Sequence, residues 1–518
     1  MPPLVESIKI ALESLVTFAQ LGSQIRLRSY QVEIANAIID SVRFKRGLSF
    51  VVVLPRQSGK NELQAHLEAY LMTIFSRLEP RDIVKISPTW KPQSQNAMRR
   101  LERVLSRNLF TRLRWAKESG YIYRIGNVRT SFFSGAPTAN IVGATASLLL
   151  ECDEAQDVEI AKWDRDCAPM AASTNATRVF WGTAWTSTTL LARELRAARQ
   201  ASELDGIQRV FIRDGMQVGD EVPPYRKHVQ EQISRLGRQH PMVKTQYFSE
   251  EIDAEGGMFP AARCALLWGE HAPQSAPLHN RMYAFTIDVA GEDEGASLDP
   301  QRLDNPKRDA TALTIFEVET QGNASGDAPS AAQNLASRVE TPSLPTYAVV
   351  DRLYWTGTKH TSLYPRIRAL AETWKPRFVV VDSTGIGSGL ATYLESCLSS
   401  TVIRFDFTSA SKSKLGWDFI SLIETLRYRE PAWPDKFDPR RCLFLQQLEA
   451  CQYEILSGPG KLMRWGTPAG GRDPATGDYL HDDLVVSAAL VSVLDSQVWG
   501  TAASRVTASN DPLANLRF

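Results

Sequence analysis

A lysine and two carboxylates in the first half of the sequence have the types and spacing that could bind and hydrolyse a nucleoside triphosphate. The segment Leu54-Pro-Arg-Gln-Ser-Gly-Lys-Asn61 lies between an apolar run and an amphipathic stretch. At such a place, loop amides and the start of a helix can meet phosphate charge. Asp153 and Glu154 follow another apolar run about 90 residues downstream. The aspartate could hold a magnesium ion, and the glutamate could orient or deprotonate the attacking water.

The loop departs from the usual phosphate-binding pattern G-x-x-x-x-G-K-[ST]. Gly59 and Lys60 match it, but Leu54 stands at the first glycine and Asn61 at the hydroxyl position. Taken alone, the segment is as typical of a polar turn as of a nucleotide site. The adjacent carboxylates at the end of a later apolar run favour the nucleotide site.

Tyr30 and Gln31 begin an amphipathic helix upstream of the loop. The tyrosine could stack on adenine, and the glutamine amide could read the edge of the base. The same pair is equally typical of a helix cap. Both interpretations stay open at the level of sequence.

Aspartates in the second half of the sequence follow apolar runs or precede them. Asp288 and Asp382 each end a run typical of a buried strand, and His481-Asp482-Asp483 precedes an apolar helical run. Three aspartates brought together by such elements would repel unless cations lay between them. Two magnesium or manganese ions about 4 Å apart could activate water and stabilise the leaving oxygen of a phosphodiester. Carboxylates at a helix start are also favourable without any metal, which is the alternative for the last pair.

Basic residues dominate the segment between Lys91 and Thr130, which has ten basic and two acidic side chains. Arg99, Arg103 and Arg107 recur at the spacing of one helical face. Such a ridge could contact a phosphate backbone without reading sequence. A solvated helix face is as typical of any single arginine, and an arginine finger for a neighbouring subunit is a further alternative.

The elements that must position these residues indicate two α/β domains. Apolar, β-branched runs alternate with helical stretches over 1–200, which predicts a three-layer domain with a mostly parallel sheet. The range 201–258 turns polar and helical without strands, and Gly256-Gly257 marks the best boundary. Residues 259–500 contain three strands in succession and then alternating helices and strands, the order of a ribonuclease-H-like domain.

Two segments of the second half are expected to lack stable structure. Residues 321–345 are rich in Ser, Ala, Pro, Gly and Asn between two strands, which predicts a flexible insertion. Residues 501–518 are predicted to form a disordered tail.

The composition excludes several classes of protein. With 43% hydrophobic and 23% charged residues among 518, the chain is typical of a globular protein and not of a disordered or fibrous one. The formal net charge of +1 means that any nucleic-acid surface must be local. Six scattered cysteines predict reduced thiols in a cytosolic protein. Without a signal peptide or a run of about 18 apolar residues, the chain is predicted to be neither secreted nor membrane-spanning.

Motifs in both domains resemble those of the large terminase subunits of tailed double-stranded DNA phages. Pro55-Arg-Gln-Ser-Gly-Lys-Asn resembles their deviant Walker A, and Cys152-Asp-Glu-Ala resembles their Walker B. Tyr30-Gln31 is similar to the family's adenine motif, and Trp181-Gly-Thr-Ala to its coupling motif. The aspartates of the second domain match the RNase-H-like nuclease that follows the ATPase in this family. The resemblance covers most of the chain, with the motifs in the family's order.

The resemblance implies a nucleotide site in a P-loop ATPase domain over 1–200. Arg56 and Lys60 would contact the β and γ phosphates of ATP, and Asp153 would hold its Mg²⁺. The other implied nucleotide-binding residues are Tyr30, Gln31, Gln57, Ser58, Gly59 and Asn61. Asn61 departs from the family, because many relatives have Ser or Thr there, although an amide oxygen could still reach magnesium or its water.

The resemblance also implies catalytic and coupling residues. Glu154 would be the catalytic glutamate, and Gly182 and Thr183 would relay hydrolysis to movement. The range 201–258 would be the lid that couples ATPase to nuclease. The nuclease would use two Mg²⁺ or Mn²⁺ ions. Its implied metal ligands are Asp288, Asp382 and Asp483, supported by Asp309, Asp482 and His481, with the choice between Asp482 and Asp483 left open.

Fold and function follow as expectations from the resemblance. We expect an N-terminal P-loop ATPase domain, a helical lid and a C-terminal RNase H-like (RuvC-like) nuclease domain. The protein would move double-stranded DNA into procapsids with ATP and cut concatemeric DNA. It would form a homo-oligomeric ring of five subunits on the portal protein, with a small terminase subunit choosing the site. It would occur in the host cytoplasm and transiently on the portal vertex, and not in the mature virion.

Two other functions stay open. A cellular or mobile-element helicase-nuclease could use the same ATP site for strand separation, and it would unwind a forked duplex without cutting it. A structural docking subunit could use ATP only for assembly, and its turnover would not depend on Glu154.

Overall fold

The chain divides into two units. Its computed structural model describes residues 4–141, 143–253, 255–292, 308–320, 344–398, 400–456, 461–468, 470–472 and 479–499. Unit 1 contains Met1–Gly256 and Ile455–Lys461, and unit 2 contains Gly257–Glu454 and Leu462–Phe518. The main division falls at the Gly256-Gly257 pair that the sequence indicates. The grouping of Ile455–Lys461 with unit 1 has no signal in the sequence.

An eight-stranded sheet forms the centre of unit 1. Its strands are β1 Ser49–Val53, β2 Arg81–Ser87, β3 Trp115–Lys117, β4 Ile122–Ile125, β5 Val128–Ser134, β6 Leu149–Cys152, β7 Thr177–Gly182 and β8 Val210–Ile212. The strand order is β3-β4-β5-β2-β6-β7-β1-β8. Neighbours from β5 to β8 pair in parallel, whereas β3, β4 and β5 pair antiparallel.

Helices cover both faces of this sheet. They are α1 Leu4–Glu13, α2 Leu15–Thr17, α3 Ser29–Arg43, α4 Lys60–Phe75, α5 Gln95–Arg107, α6 Ile160–Lys162, α7 Leu190–Asp205, α8 Gly215–Glu221, α9 Pro223–Leu236 and α10 Pro241–Tyr247. Phe50 and Val52 of β1 belong to a core shared with α3, α4 and α5, whereas Val51 and Val53 belong to a second core that includes α7. Because successive side chains of a strand point to opposite faces, one apolar run serves both cores.

One sequence prediction about the range 201–258 is wrong. The range begins inside α7, and it contains β8, which pairs in parallel with β1 and places Val51 opposite Val210. The apolar run of β8 is only three residues long and therefore does not stand out among its polar neighbours. Since β8 belongs to the sheet, the lid that the resemblance implies would be limited to α8, α9 and α10.

Unit 2 contains a six-stranded sheet in the order β14-β13-β10-β11-β12-β15. The strands after β8 are β9 Glu255–Gly257, β10 Met282–Asp288, β11 Ala310–Glu319, β12 Thr346–Thr356, β13 Phe378–Asp382, β14 Thr401–Phe405, β15 Tyr428–Arg429, β16 Gln452–Ile455 and β17 Met463–Gly466. β10, β11 and β12 form an antiparallel meander, and β13 and β14 add in parallel beside β10. This is the order of an RNase H-like sheet, so the predicted fold class is confirmed.

The helices of unit 2 complete its layers. They are α11 Ala261–Cys264, α12 His360–Trp374, α13 Gly387–Cys397, α14 Ser409–Glu424, α15 Pro439–Ala450 and α16 Asp483–Ala489. α16 lies against β10 and β11, where the hydroxyl of Ser487 contacts the hydroxyl of Thr314 at 2.9 Å and the carbonyl of Thr286 at 3.0 Å. This packing brings the start of α16 to the edge of the sheet where β10 ends.

Two predicted segments cannot be compared with the structure. The tail 501–518 lies outside the described residues, as does the insertion 321–345 except for its last two residues. Within the described part of the chain, none of the helices has the length and apolar character needed to span a bilayer.

Candidate functional site

The predicted phosphate loop joins the end of β1 to the start of α4. Because α4 begins at Lys60, the unpaired backbone amides of its first turn face the loop. Gly59 precedes the helix with a φ of 92°, a left-handed conformation that favours glycine. A Cβ on Gly59 would lie 2.8 Å from Nε2 of Gln31. The hydroxyl of Ser58 is buried without a hydrogen-bond partner in the described structure, which fits a loop built to receive an anion.

Tyr30 and Gln31 brace this loop from α3. Oε1 of Gln31 accepts the backbone N–H of Arg28 at 2.9 Å, and its Nε2 donates to the carbonyl of Gly59 at 3.0 Å. The hydroxyl of the buried Tyr30 donates to the carbonyl of Ser58. Gln31 therefore caps α3 and also holds the loop through its hydrogen bond to Gly59. Its predicted contact with adenine stays a prediction.

Helices α9 and α10 hold the loop at Arg56. Its backbone N–H donates to the carbonyl of Gln246 on α10 at 2.9 Å, and its carbonyl accepts the hydroxyl of Tyr225 on α9 at 2.6 Å. The exposed guanidinium lies 3.3 Å from Oε1 of Gln246. A contact of Arg56 with phosphate would therefore compete with its contact to α10.

Lys60 and Glu154 form an ion pair over the loop, with Nζ and Oε1 2.8 Å apart. Lys60 is almost fully buried, and Glu154 has a left-handed backbone with a φ of 48°. Burial raises the pKa of Glu154, but the ammonium of Lys60, the hydrogen bond from Gln156 and the charge of Lys461 together hold it below its usual range. A phosphate entering the loop would compete with Glu154 for this lysine.

Asp153 follows β6 and is 3% exposed. Its Oδ1 accepts the side-chain amide Nε2 of Gln64 at 3.0 Å. Asn61 lies half-buried in the first turn of α4. Since β1 and β6 are parallel strands of one sheet, the loop lysine and both carboxylates lie at the same sheet edge.

Gln156 connects Glu154 to the predicted coupling residues. Its Nε2 donates to Oε2 of Glu154 at 2.8 Å, and its Oε1 accepts the backbone N–H of Thr183 at 3.1 Å. A Cβ on Gly182 would lie 2.4 Å from Oε1 of Gln156. Glycine is therefore required where β7 ends. Sequence reasoning missed Gln156 and Gln64, because a lone glutamine has no spacing rule that marks it.

The predicted metal ligands of unit 2 lie at one edge of its sheet. Asp288 ends β10 and Asp382 ends β13, and the two strands are parallel with Ile287 opposite Val381. Oδ1 of the buried Asp382 accepts the backbone N–H of Thr384 at 2.8 Å. The carboxylates of Asp288 and Asp382 are thus presented by neighbouring strand ends.

A second group of ligands comes from the start of α16 and the loop before β11. Oδ1 of Asp309 lies 2.5 Å from Nδ1 of His481, and Oδ2 of Asp483 accepts the backbone N–H of Ala310 at 2.8 Å. Asp309, His481 and Asp483 each offer one ligand atom within 4.8 Å of the others. Asp482 is differently engaged, because its Oδ2 accepts the backbone N–H of Thr467 at 3.2 Å.

The charges of this aspartate cluster are unfavourable without cations. Burial, then the neighbouring carboxylates of Asp483, Asp382 and Asp482, raise the pKa of Asp288 well above its ordinary value. Burial is also the main reason that the pKa of Asp483 rises to about 7. Carboxylate oxygens are hard ligands that suit Mg²⁺ or Mn²⁺. The residues therefore fit a divalent-cation centre.

The predicted arginine ridge lies on α5. Arg99, Arg103 and Arg107 are exposed, but Nη2 of Arg103 contacts Oε2 of Glu62 at 2.5 Å, and Arg100 contacts the same carboxylate at 3.4 Å. The ridge is therefore partly neutralised by α4. Arg99 and Arg107 are left as its charged positions at the surface.

Comparisons with solved structures match almost the whole chain. The large terminase of bacteriophage HK97 is 12% identical, covers 93% of this chain and 99% of its own, and superposes with a TM-score of 0.41. A large terminase of a thermophilic bacteriophage in complex with ADP is 9% identical, covers 92% and 100%, and has a TM-score of 0.43. Both of these structures are large terminases.

A shorter match concerns the second half. The large terminase nuclease of thermophilic phage G20c with bound magnesium is 16% identical, covers 46% of this chain and 96% of its own, and has a TM-score of 0.30. No protein-family model and no curated protein sequence matches the chain. The predicted resemblance to large terminases is confirmed by the structural matches. At such low identities and TM-scores, function has to follow from the residues of this chain.

Proposed function

We propose that this chain is a large terminase subunit, which hydrolyses ATP to move double-stranded DNA into procapsids and cuts concatemeric DNA with a metal-dependent nuclease. The observation that carries the proposal is the presence, in one polypeptide, of two separate sets of charged side chains whose types suit catalysis. Unit 1 holds the Lys60–Glu154 pair over a phosphate loop. Unit 2 holds an aspartate cluster at the edge of an RNase H-like sheet. Packaging requires both a motor and a cutter.

The ATPase step would use Glu154 as the base that orients or deprotonates water. While Lys60 contacts Glu154, the lowered pKa makes this carboxylate a weak base. ATP phosphates in the loop would draw Lys60 away and allow the pKa of Glu154 to rise. The carboxylate would therefore become a better base only when nucleotide is bound. Asp153 would hold the Mg²⁺ that neutralises phosphate charge.

Movement would begin at Gln156. Any shift of Glu154 on phosphate binding or release changes a hydrogen-bonded chain that ends at the backbone of Thr183. Since a Cβ on Gly182 would lie only 2.4 Å from Oε1 of Gln156, the end of β7 lies directly against this side chain and would move with it. The loop itself is tied through Arg56 to α9 and α10, which gives the lid a second connection to the phosphates.

The nuclease would use Asp288, Asp382 and Asp483 to hold two divalent cations, with Asp309 and His481 in support. When bound, Mg²⁺ or Mn²⁺ lowers the pKa of water and stabilises the charge on a phosphodiester. The role of the protein would be to hold the ligands in place. Neighbouring strand ends place the first two carboxylates, and the backbone N–H groups of Thr384 and Ala310 orient Asp382 and Asp483.

The partners belong to the same proposal. Double-stranded DNA would contact basic positions such as Arg99 and Arg107 through its phosphates, independently of sequence. A ring of five subunits would act on the portal protein, and a small terminase subunit would select the DNA. The protein would work in the host cytoplasm and at the portal vertex, and it would be absent from the mature virion.

ATP turnover with and without double-stranded DNA tests the motor. We expect Glu154→Gln to lower turnover at least about 100-fold, because the base is lost, while nucleotide binding remains. Glu159→Gln, an exposed change nearby, is the matched control and should turn over at the wild-type rate. Full turnover in Glu154→Gln would favour a docking subunit. Strand separation of a forked duplex without cleavage would favour a helicase-nuclease.

A further inference from the structure

A chain of buried polar side chains lies beneath the nucleotide loop. Gln64 and Glu68 belong to α4, Lys85 to β2, and Asp153 follows β6. Gln64 is 0% exposed, Glu68 1%, Lys85 2% and Asp153 3%. Burying these groups is costly unless each is paired, so their hydrogen bonds must be specific.

Only one orientation of the Gln64 side-chain amide is compatible with the hydrogen bonds of these buried side chains. Nζ of Lys85 donates to Oε1 of Gln64 at 2.9 Å and to Oε1 of Glu68 at 2.7 Å. An ammonium has donors and no acceptor, so the atom of Gln64 that faces it must be the amide oxygen. The amide nitrogen of Gln64 then has to face Asp153, to which it donates at 3.0 Å. A flipped amide would place two donors against each other at Lys85.

The orientation of the Gln64 amide decides which oxygen of Asp153 is occupied. Oδ1 of Asp153 accepts the amide of Gln64, which restricts the orientation of the carboxylate and leaves Oδ2 for an ion. Lys85 is in turn held by Glu68, so the chain is anchored in the core at its far end. Partners of metal ligands usually act in this way, because they orient a ligand without touching the ion.

We propose that Gln64 is a positioning residue, which orients the carboxylate of Asp153 to hold the Mg²⁺ of a bound nucleotide. The proposal rests on the proposed ATPase function. It assigns to a buried glutamine on α4 a role beyond core packing. If Gln64 has this role, replacing it should weaken nucleotide binding in the presence of Mg²⁺. Binding without Mg²⁺, which depends on the phosphate loop alone, should stay unchanged.

The test compares binding of N-methylanthraniloyl-ADP in excess EDTA with binding in Mg²⁺. The dissociation constant in EDTA divided by the dissociation constant in Mg²⁺ reports how much magnesium strengthens nucleotide binding. We expect Gln64→Met, which keeps the length of the side chain and removes both hydrogen bonds, to lower this ratio about 10-fold. The dissociation constant in EDTA should stay within about twofold of the wild-type value.

Thr73→Val is the matched control. Thr73 is also buried on α4, and its hydroxyl bonds only the carbonyl of Ala69 in the same helix. This variant should keep the wild-type ratio even if its thermal stability falls. An equal fall of the ratio in Thr73→Val and Gln64→Met would overturn the proposal, because general loosening of α4 would then explain both.

A double variant separates positioning from structure. In an Asp153→Asn background, adding Gln64→Met should not change the ratio further, because the ligand that Gln64 orients is already lost. A further loss of the same size would contradict the proposal. If Gln64→Met does not fold, Gln64→Glu keeps an acceptor for Lys85 and places a carboxylate against Asp153. It should lower the ratio at least as much, and an unchanged ratio would overturn the proposal.

The wild-type protein distinguishes failure of this proposal from failure of the proposed function. If magnesium does not strengthen nucleotide binding to the wild type, the nucleotide site itself is wrong. If magnesium strengthens binding to the wild type and Asp153→Asn abolishes the effect, the site is right. An unchanged ratio in Gln64→Met would then remove only the role of Gln64.

Discussion

At the scale of single residues, the ion pair between Lys60 and Glu154 links the two side chains on which the proposed ATPase activity depends. The lysine that would bind phosphate occupies the glutamate that would activate water. Under the proposed function, binding of phosphate would therefore release both side chains together. Glu154 has a left-handed backbone, and such strain in a non-glycine residue is typical of functional positions.

Gln156 is predicted to position this glutamate. Gln156→Leu removes the donor to Glu154 and the acceptor for Thr183, and it fills the buried position with an apolar side chain of similar size. We expect kcat for ATP hydrolysis to fall roughly 10-fold to 100-fold, because the base is no longer held in place. Nucleotide affinity should stay unchanged, as measured with a fluorescent ATP analogue. Equal losses of affinity and kcat would instead indicate a collapsed site.

The sequence was sufficient to propose Lys60, Asp153 and Glu154, because strand ends followed by charged side chains have a recognisable pattern. It was not sufficient for Gln64 or Gln156. Each of these glutamines acquires its meaning from a partner distant in the sequence, such as Lys85 on β2 or Thr183 after β7. A contact of this kind exists only after the sheet has formed.

At the scale of elements, both proposed sites depend on where parallel strands end. β1, β6 and β7 bring the phosphate loop, the two carboxylates and the coupling residues to one edge. β10 and β13 do the same for the aspartates of unit 2. Parallel strands place their carboxyl ends together, and function in such sheets concentrates there.

Gly182→Ala tests how tightly the end of β7 is packed. The new methyl group would lie 2.4 Å from Oε1 of Gln156 and 2.4 Å from a methyl carbon of Leu191. We expect the free energy of unfolding, measured by denaturant titration, to fall by about 1–3 kcal/mol. Gly120→Ala is the control, because no atom lies within 4 Å of its added Cβ. Equal stability of the two variants would show that β7 has space to spare.

The central strands of both sheets could be predicted because each is a continuous apolar run, as in β1 and β13. The short strands β3, β4 and β8 could not be predicted. β3 and β4 are only three and four residues long, and each has one basic residue, Lys117 or Arg124, among its apolar ones. β8 has three residues in a polar region. Such strands exist because a neighbouring strand offers free backbone groups, which no local pattern records.

At the scale of the whole molecule, the aspartate cluster of unit 2 is predicted to make stability depend on metal and pH. The carboxyl pKa of Asp483 rises from 3.8 to about 7 in the folded state, with burial as the largest cause. The folded protein therefore binds a proton that the unfolded chain releases between these values. Without metal, this group makes stability highest below about pH 4 and lowers it as the pH rises through 7.

Thermal unfolding of the wild type and of Asp483→Asn, in EDTA over this pH range, checks the prediction. As the pH rises from about 4 to about 7, the free energy of unfolding of the wild type should fall by a few kcal/mol relative to that of the variant, as expected for such a pKa shift. Mn²⁺ should restore the wild type at pH 7 and leave Asp483→Asn largely unchanged. Parallel pH profiles of the two proteins would contradict the assignment of Asp483 to the charged cluster.

If the chain has two independent active sites, a mutation in one site should remove ATP turnover or DNA cleavage and leave the other activity intact. The most direct measurement follows both ATP turnover and the cleavage of supercoiled plasmid in Mg²⁺ or Mn²⁺, for the wild type, Glu154→Gln and Asp382→Asn. Asp435→Asn, an exposed change in unit 2, is the control for the second site. We predict that Asp382→Asn loses cleavage and keeps ATP turnover, and that Glu154→Gln does the reverse. Wild-type cleavage by Asp382→Asn, or loss of both activities in either folded variant, would contradict two independent active sites.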